Sequence, residues 1–204
     1  MARGRAATYD EQREAILAQA AALFAHRGYA ATTMNDIADA CGLSKATLYH
    51  YYDDKTALLA SICEAHVTTL RALVDDVDAL RLPPEARLRE LIRRFVQAYA
   101  GAQHAHRVLT EDVRFLDAAD RERVLGTERA LVAAIARTVA ALRPELAEAH
   151  LAKPLTMLLF GMINWMFTWM RPDGALDHDA LAPIVADLFL GGLPAVKVPQ
   201  PAAA

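Results

Sequence analysis

The chain is short of cysteine, glycine and proline, and these shortages exclude whole classes of protein. Its two cysteines, Cys41 and Cys63, lie far apart in no CxxC spacing. That excludes a disulfide scaffold and a cysteine-based zinc module, and fits a reducing compartment. Nine glycines and nine prolines in 204 residues are too few for a fibrous or low-complexity chain. The net charge of −3 excludes a protein that coats nucleic acid by bulk charge, though not one with a small local footprint. No apolar stretch follows the basic start Met1–Arg5, so no secretory signal is read and a cytoplasmic location is expected. The longest uncharged run, Pro154 to Met170, contains Asn164 and Thr168 and is read as a buried bundle helix rather than a membrane span. No GxSxG, HExxH, P-loop or GxGxxG pattern occurs, so no enzyme and no cofactor are expected. His104 and His106, two residues apart, point to different sides of a helix, and no metal site is assigned.

What is present is alanine, roughly a fifth of the chain, within a hydrophobic content of 54%. Alanine has the best helix propensity, so composition leans to an all-α protein. Ile16, Leu17, Ala20, Leu23 and Phe24 mark one face of a helix over 10–27, closed by Gly28. Residues 1–8 read as a short basic arm. Thr33 with Asp36 three residues on resembles a capping box, and the helix that it opens stops at Gly42. Ser44 caps a third helix, Lys45 to Tyr51. Two short helices joined by a glycine-containing turn form a helix-turn-helix pattern. A long fourth helix runs from about Lys55 to about Arg81, where Pro83-Pro84 breaks the chain. Five more helices are placed near 84–102, 104–116, 119–142, 148–170 and 178–191, which makes nine.

The stretch Thr32 to Leu59 resembles the DNA-binding signature of TetR-family transcriptional repressors. The residues that carry the resemblance are Gly28-Tyr29, Thr33, Ile37-Ala38, Gly42-Leu43-Ser44-Lys45, Leu48-Tyr49 and Lys55. Ala46 stands where the family commonly has glycine, and Tyr52 where it has phenylalanine. The resemblance implies a two-domain TetR-like fold. Residues 1–55 would be a helix-turn-helix DNA-binding domain, and 56–204 a helical ligand-binding and dimerisation bundle. It also implies a homodimer that binds a palindromic operator and is released by a small molecule.

A recognition helix turns short polar side chains to the major groove while its back face packs. With Leu43 and Leu48 inward, Lys45, Ala46, Thr47, Tyr49 and His50 are left outward. Thr33 and Ser44 bring helix N-termini toward the DNA backbone. Lys55 is expected as a further phosphate clamp, and Arg3 and Arg5 as minor-groove or phosphate contacts. Tyr51 and Tyr52 are read as packing. Residues 1–55 carry six basic against seven acidic side chains, so non-specific affinity is expected to be modest and salt-dependent.

The 148–170 helix is apolar nearly all round and must be covered on all sides. Leu155, Leu159, Met162 and Met166, with Ile184 and Leu188 of the last helix, are assigned to a two-fold four-helix interface. Within the bundle, His66, Leu70, Phe95, Tyr99, Phe160 and Asn164 are assigned to an effector cavity. The segments 164–174 and 186–193 are similar to the C-terminus of TetR-family regulators of fatty-acid, phenylacetate and steroid catabolism. That resemblance implies an acyl-CoA thioester as effector, phenylacetyl-CoA or a fatty acyl-CoA. Arginines such as Arg87, Arg89, Arg93, Arg94, Arg107 and Arg114 suit its phosphates. The alternative reading is a regulator of an efflux or stress gene that answers to a hydrophobic drug-like ligand. In either reading the partners are operator DNA, the effector and a second copy, with no membrane.

Overall fold

Ile16, Ala20 and Phe24 fall on one stripe of α1 (Ala2–Arg27) and are almost wholly buried. Gly28 ends the helix at φ +84°, its N–H bonded to the Phe24 carbonyl at 2.8 Å. A Cβ there would meet no neighbour, so the demand for glycine comes from the backbone conformation. The computed structural model describes residues 2–171 and 174–198, with side chains from Tyr9 onward. All regular structure among these is helical: α2 (Met34–Ala40), α3 (Lys45–Tyr51), α4 (Lys55–Ala79), α5 (Pro84–Gly101), α6 (Gln103–Asp112), α7 (Ala118–Leu142), α8 (Pro144–Glu148), α9 (Ala152–Asn164), α10 (Met166–Trp169) and α11 (His178–Gly192). Two 3-10 turns, Val113–Phe115 and Leu193–Ala195, complete the order.

The nine expected helices are present, with three corrections. The arm at 1–8 continues α1 as far back as Ala2. A separate α8 opens on Pro144, whose missing N–H is unneeded in a first helical turn. The apolar helix expected over 148–170 is broken into α9 and α10 at Trp165, which has φ −87° and ψ −1°. No glycine or proline marks that break, and an apolar run without them carries no stop signal.

The chain forms two compact units, Met1–Val67 with Ala102–Leu125, and Thr68–Gly101 with Gly126–Ala204. They differ from the expected segments 1–55 and 56–204: the first half of α4, all of α6 and the start of α7 belong with the helix-turn-helix. The core of the first unit gathers Ile16, Phe24, Ile37, Leu48, Leu58, Leu59, Val108 and Val124. The core of the second gathers Leu88, Leu91, Ile92, Phe95, Ile135, Leu159, Phe160 and Phe189. In the second unit α5 packs on α11, reinforced by Arg89 to Asp187 at 2.6 Å and Gln97 to Asp179 at 2.7 Å. Among the described helices α4 is long and apolar enough to cross a membrane, but half of its most apolar window is buried inside the protein.

Candidate functional site

The helix-turn-helix is assembled from caps. Asp36 N–H donates to Thr33 Oγ1 at 3.2 Å, and Thr33 N–H donates to Asp36 Oδ2 at 2.8 Å. This is the reciprocal capping box that the sequence spacing predicts. The Thr33 hydroxyl and backbone hold the Asp36 carboxyl below the usual carboxylate range. At the other end of α2, Leu43 N–H reaches back to the Ala38 carbonyl at 2.9 Å, with Gly42 at φ +64°. This six-to-one bond reverses the chain into α3. Ser44 Oγ accepts from Thr47 N–H at 3.1 Å and lies 2.7 Å from the Thr47 hydroxyl.

Leu48 is fully buried and anchors α3 by its back face. Lys45, Ala46, Thr47, Tyr49 and His50 are all exposed on the other, as expected. Tyr49 is 42% exposed, and Lys45 Nζ stands 5.8 Å from its ring centroid. Thr33, Met34, Asn35, Lys45, Tyr49 and Lys55 surround an open hollow of about 310 Å³ between α2 and α3. Asn35 was missed by the sequence reading. It stands one residue into α2, and only the fold brings it beside Lys45 and Tyr49.

Lys55 is a correction. Its ammonium donates to the carbonyls of Tyr29 (2.7 Å) and Thr32 (2.8 Å), lies 3.5 Å from that of Ala30, and sits 4.3 Å from the Tyr29 ring centroid. Those contacts tie the α1–α2 turn to the start of α4, so the group is not the free phosphate clamp expected. Tyr51 stacks on Tyr9 at 4.7 Å, and buried Tyr52 accepts from Arg13 Nε at 3.1 Å, so both do pack. The side chains of Arg3 and Arg5 lie outside the described residues; their backbone is part of α1.

The residues assigned to the effector are not gathered in one unit. His66 belongs to the first, where its Nε2 lies 3.3 Å from Nδ1 of buried His106. Burial lowers the His66 pKa to about 4. Leu70, Phe95, Tyr99, Phe160 and Asn164 belong to the second unit. There Phe95 meets Tyr99 and Phe160 edge to face, at 5.9 and 5.6 Å. Burial pushes the Tyr99 phenol up. Most of the arginines singled out for phosphate are already neutralised: Arg87 by Asp78, Arg89 by Glu85 and Asp187, Arg93 and Arg94 by Glu90, and Arg107 by Glu111. Arg93 and Arg94 hold the Glu90 carboxyl at about 2.

The interface assignment divides in the same way. Leu159 and Met166 are buried in their own unit's core and Leu155 packs against it, so these three do not form an outer face. Met162, Ile184 and Leu188 do stand exposed. They share the surface of α9–α11 with Met157, Leu158, Trp165 and Trp169; Leu158 is 65% and Leu188 66% exposed. So many large apolar side chains on neighbouring helices exceed what scattered surface residues need.

Residues 81–193 match the family model of the tetracyclin repressor-like C-terminal domain, and residues 16–62 that of the bacterial regulatory proteins of the tetR family. The chain belongs to the TetR family. The HTH-type transcriptional repressor KstR2 of Rhodococcus jostii (strain RHA1) is 28% identical over 187 residues, 89% of this chain and 91% of the relative. A TetR-family transcriptional regulator from Bordetella parapertussis 12822 superposes with a TM-score of 0.84 at 36% identity, over 91% of this chain and 97% of that one. AibR, solved in complex with isovaleryl coenzyme A and operator DNA, shares the fold with a TM-score of 0.75 at 24% identity, over 87% and 97% of the two chains. The family and the relatives are transcription regulators.

Proposed function

We propose that the protein is a cytoplasmic, homodimeric repressor that binds a palindromic operator and is released by an acyl-CoA thioester. The observation that carries the DNA-binding part is α3 itself. Leu48 and the Ser44 cap fix the helix, while Lys45, Ala46, Thr47, Tyr49 and His50 face outward from it. Lys45 meets a phosphate or a guanine edge, Thr47 and Ala46 offer methyl groups to thymine, and Tyr49 and His50 reach phosphates. Thr33 and Ser44 bring their helix ends to the DNA backbone, and Arg3 and Arg5 extend the contact. A single α3 reads one half-site; two must stand about 34–36 Å apart to enter successive major grooves.

The apolar surface of α9–α11 supports the dimer: Leu158, Met162, Ile184 and Leu188 stand exposed on it, and a second copy would cover them. An effector acts by preferring a spacing of the two α3 helices that the operator does not fit, because equal affinity for both spacings shifts nothing. The acyl-CoA class rests on the likeness of the C-terminal segments to catabolic regulators. A protein of this fold bound to isovaleryl coenzyme A adds support. The aromatic cluster of Phe95, Tyr99 and Phe160 is apolar enough to receive an acyl group.

The test is fluorescence anisotropy of a labelled fragment from upstream of the protein's own gene, with a panel of fatty and aromatic acyl-CoA thioesters. Tight binding released by a thioester and not by its free acid is the expected result. Equal release by the free acid removes the CoA part. Tight binding that no thioester disturbs removes the effector class and leaves the repressor. Absence of binding at low salt by a folded dimer counts against this operator.

A further inference from the structure

A surface groove of one-sided chemistry lies in the second unit, between α7 and the α8–α9 turn, with a volume of about 480 Å³. Val132, Ala136 and Ala140 of α7 form its floor together with Ala152 of α9. Its rim carries Arg129, Arg137, His150 and Lys153, and no carboxylate lines it. The cause is a periodicity. Positions 129, 133, 136, 137 and 140 share one face of α7, while Leu131, Ala134, Ile135 and Val139 of the same helix are buried in the core. Alanines on that outer face leave a trough that larger residues would fill. His150 is brought to the rim by the turn after α8, where it sits at φ +58° and its N–H meets the Ala147 carbonyl at 2.9 Å.

On α5 of this unit Arg87, Arg89, Arg93 and Arg94 each meet a carboxylate. Arg137, His150 and Lys153 differ, entering no ion pair and no side-chain hydrogen bond among the described residues. Basic side chains around an apolar trough that no carboxylate lines complement an anion with an apolar body.

We propose that this groove binds an organic phosphate of nucleotide size. Its apolar body lies on the alanines, and its phosphate oxygens take hydrogen bonds from Arg137, Lys153 and His150. A carboxylate has two oxygens for these donors, whereas a phosphate has three and up to two charges. The volume suits one small molecule, and the basic side chains ring a single pit, unlike the stripe that tracks a polynucleotide. The assignment goes beyond the effector reading and is independent of it.

The experiment is calorimetric titration of the full-length protein with adenosine 3′,5′-bisphosphate, adenosine and inorganic phosphate. Saturable binding of the bisphosphate is expected below about 1 mM, with adenosine and phosphate each at least about tenfold weaker. The double variant R137A/K153A is expected to weaken binding at least about tenfold with unchanged circular dichroism, because both side chains are exposed and unengaged. Ala133→Leu keeps every basic side chain and fills the trough, and is expected to weaken binding as well. Arg93→Ala, on another surface, leaves it unchanged.

Absence of saturable binding, undiminished binding in both groove variants, or inorganic phosphate binding as well as the bisphosphate would each overturn the proposal. Operator release by a thioester that persists in R137A/K153A would leave the effector reading standing while the groove is judged by the titration alone. Groove-dependent binding of the bisphosphate with no release by any thioester would retain the groove and discard that effector.

Discussion

Lys55 Nζ lies 2.7 Å from the Tyr29 carbonyl oxygen and 4.3 Å from the Tyr29 ring centroid, so one side chain grips both the backbone and the face of the same residue. A second hydrogen bond, to the Thr32 carbonyl at 2.8 Å, completes the tie. The Tyr29 hydroxyl in turn lies 3.1 Å from that of Thr56, one residue along α4. The consequence concerns stability more than DNA. Lys55→Met strips the turn carbonyls of a charged donor and is expected to cost about 1–3 kcal/mol in urea denaturation. The salt dependence of operator binding in this variant should match the wild type. A slope lower by one released ion would instead make Lys55 a phosphate contact.

Lys45 offers the contrast, because its ammonium enters no hydrogen bond or ion pair among the described residues. Lys45→Ala is expected to weaken operator binding and to reduce the slope of log affinity against log salt by about one. Tyr49→Ala should weaken binding with little change in that slope. Neither substitution alters the dimer mass, since both side chains are exposed on α3. Retention of full affinity in both variants would remove α3 from the interface.

Leu188 and Leu159 are expected to separate association from folding. Leu188, exposed on α11, is expected to tolerate Leu188→Glu in the folded subunit while the dimer dissociates, as read by analytical ultracentrifugation. Leu159, 1% exposed, should behave in the opposite way. Leu159→Ala leaves a cavity costing about 2–5 kcal/mol while the outer face of α9 is untouched. An L188E protein that remains dimeric places the interface elsewhere.

His66 makes stability depend on pH in a definite direction. Burial lowers its folded pKa to about 4, against 6.5 for the free side chain. A histidine held neutral in the fold contributes fully above its unfolded pKa. As pH falls from about 6.5 toward 4 the unfolded chain takes up a proton that the native one refuses, and the contribution is lost, on the order of a few kcal/mol. His66→Gln should therefore show a flatter fall in urea-denaturation free energy than the wild type between pH 7 and 4. Parallel curves would mean that His66 titrates alike in both states.

Local chemistry accounts for what was readable in the chain alone. Thr33 with Asp36, the Gly42 turn and the Ser44 cap act within a few residues, so the helix-turn-helix and the outward face of α3 follow from their order. Leu48 inward with Lys45, Tyr49 and His50 outward follows from the period of one short helix. Glycine and proline likewise mark the C-terminal end of α1 and the start of α5, because only they impose or forbid particular backbone angles.

Three things were settled only by packing at long range. Along α9 almost every side chain is apolar, so periodicity offers no preferred face. Only the neighbouring α5 and α11 decide that Leu159 turns inward and Leu158 outward. The ammonium of Lys55 is equally able to meet a phosphate or a carbonyl, and the return of the Tyr29–Thr32 turn to the start of α4 decides for the carbonyls. His66 and His106 stand 40 positions apart, and only the packing of α4 with α6 brings their rings together. A sequence determines backbone preference and the faces of a helix, because those depend on near neighbours. Which surface covers each face depends on residues far along the chain, and that is decided by the tertiary structure.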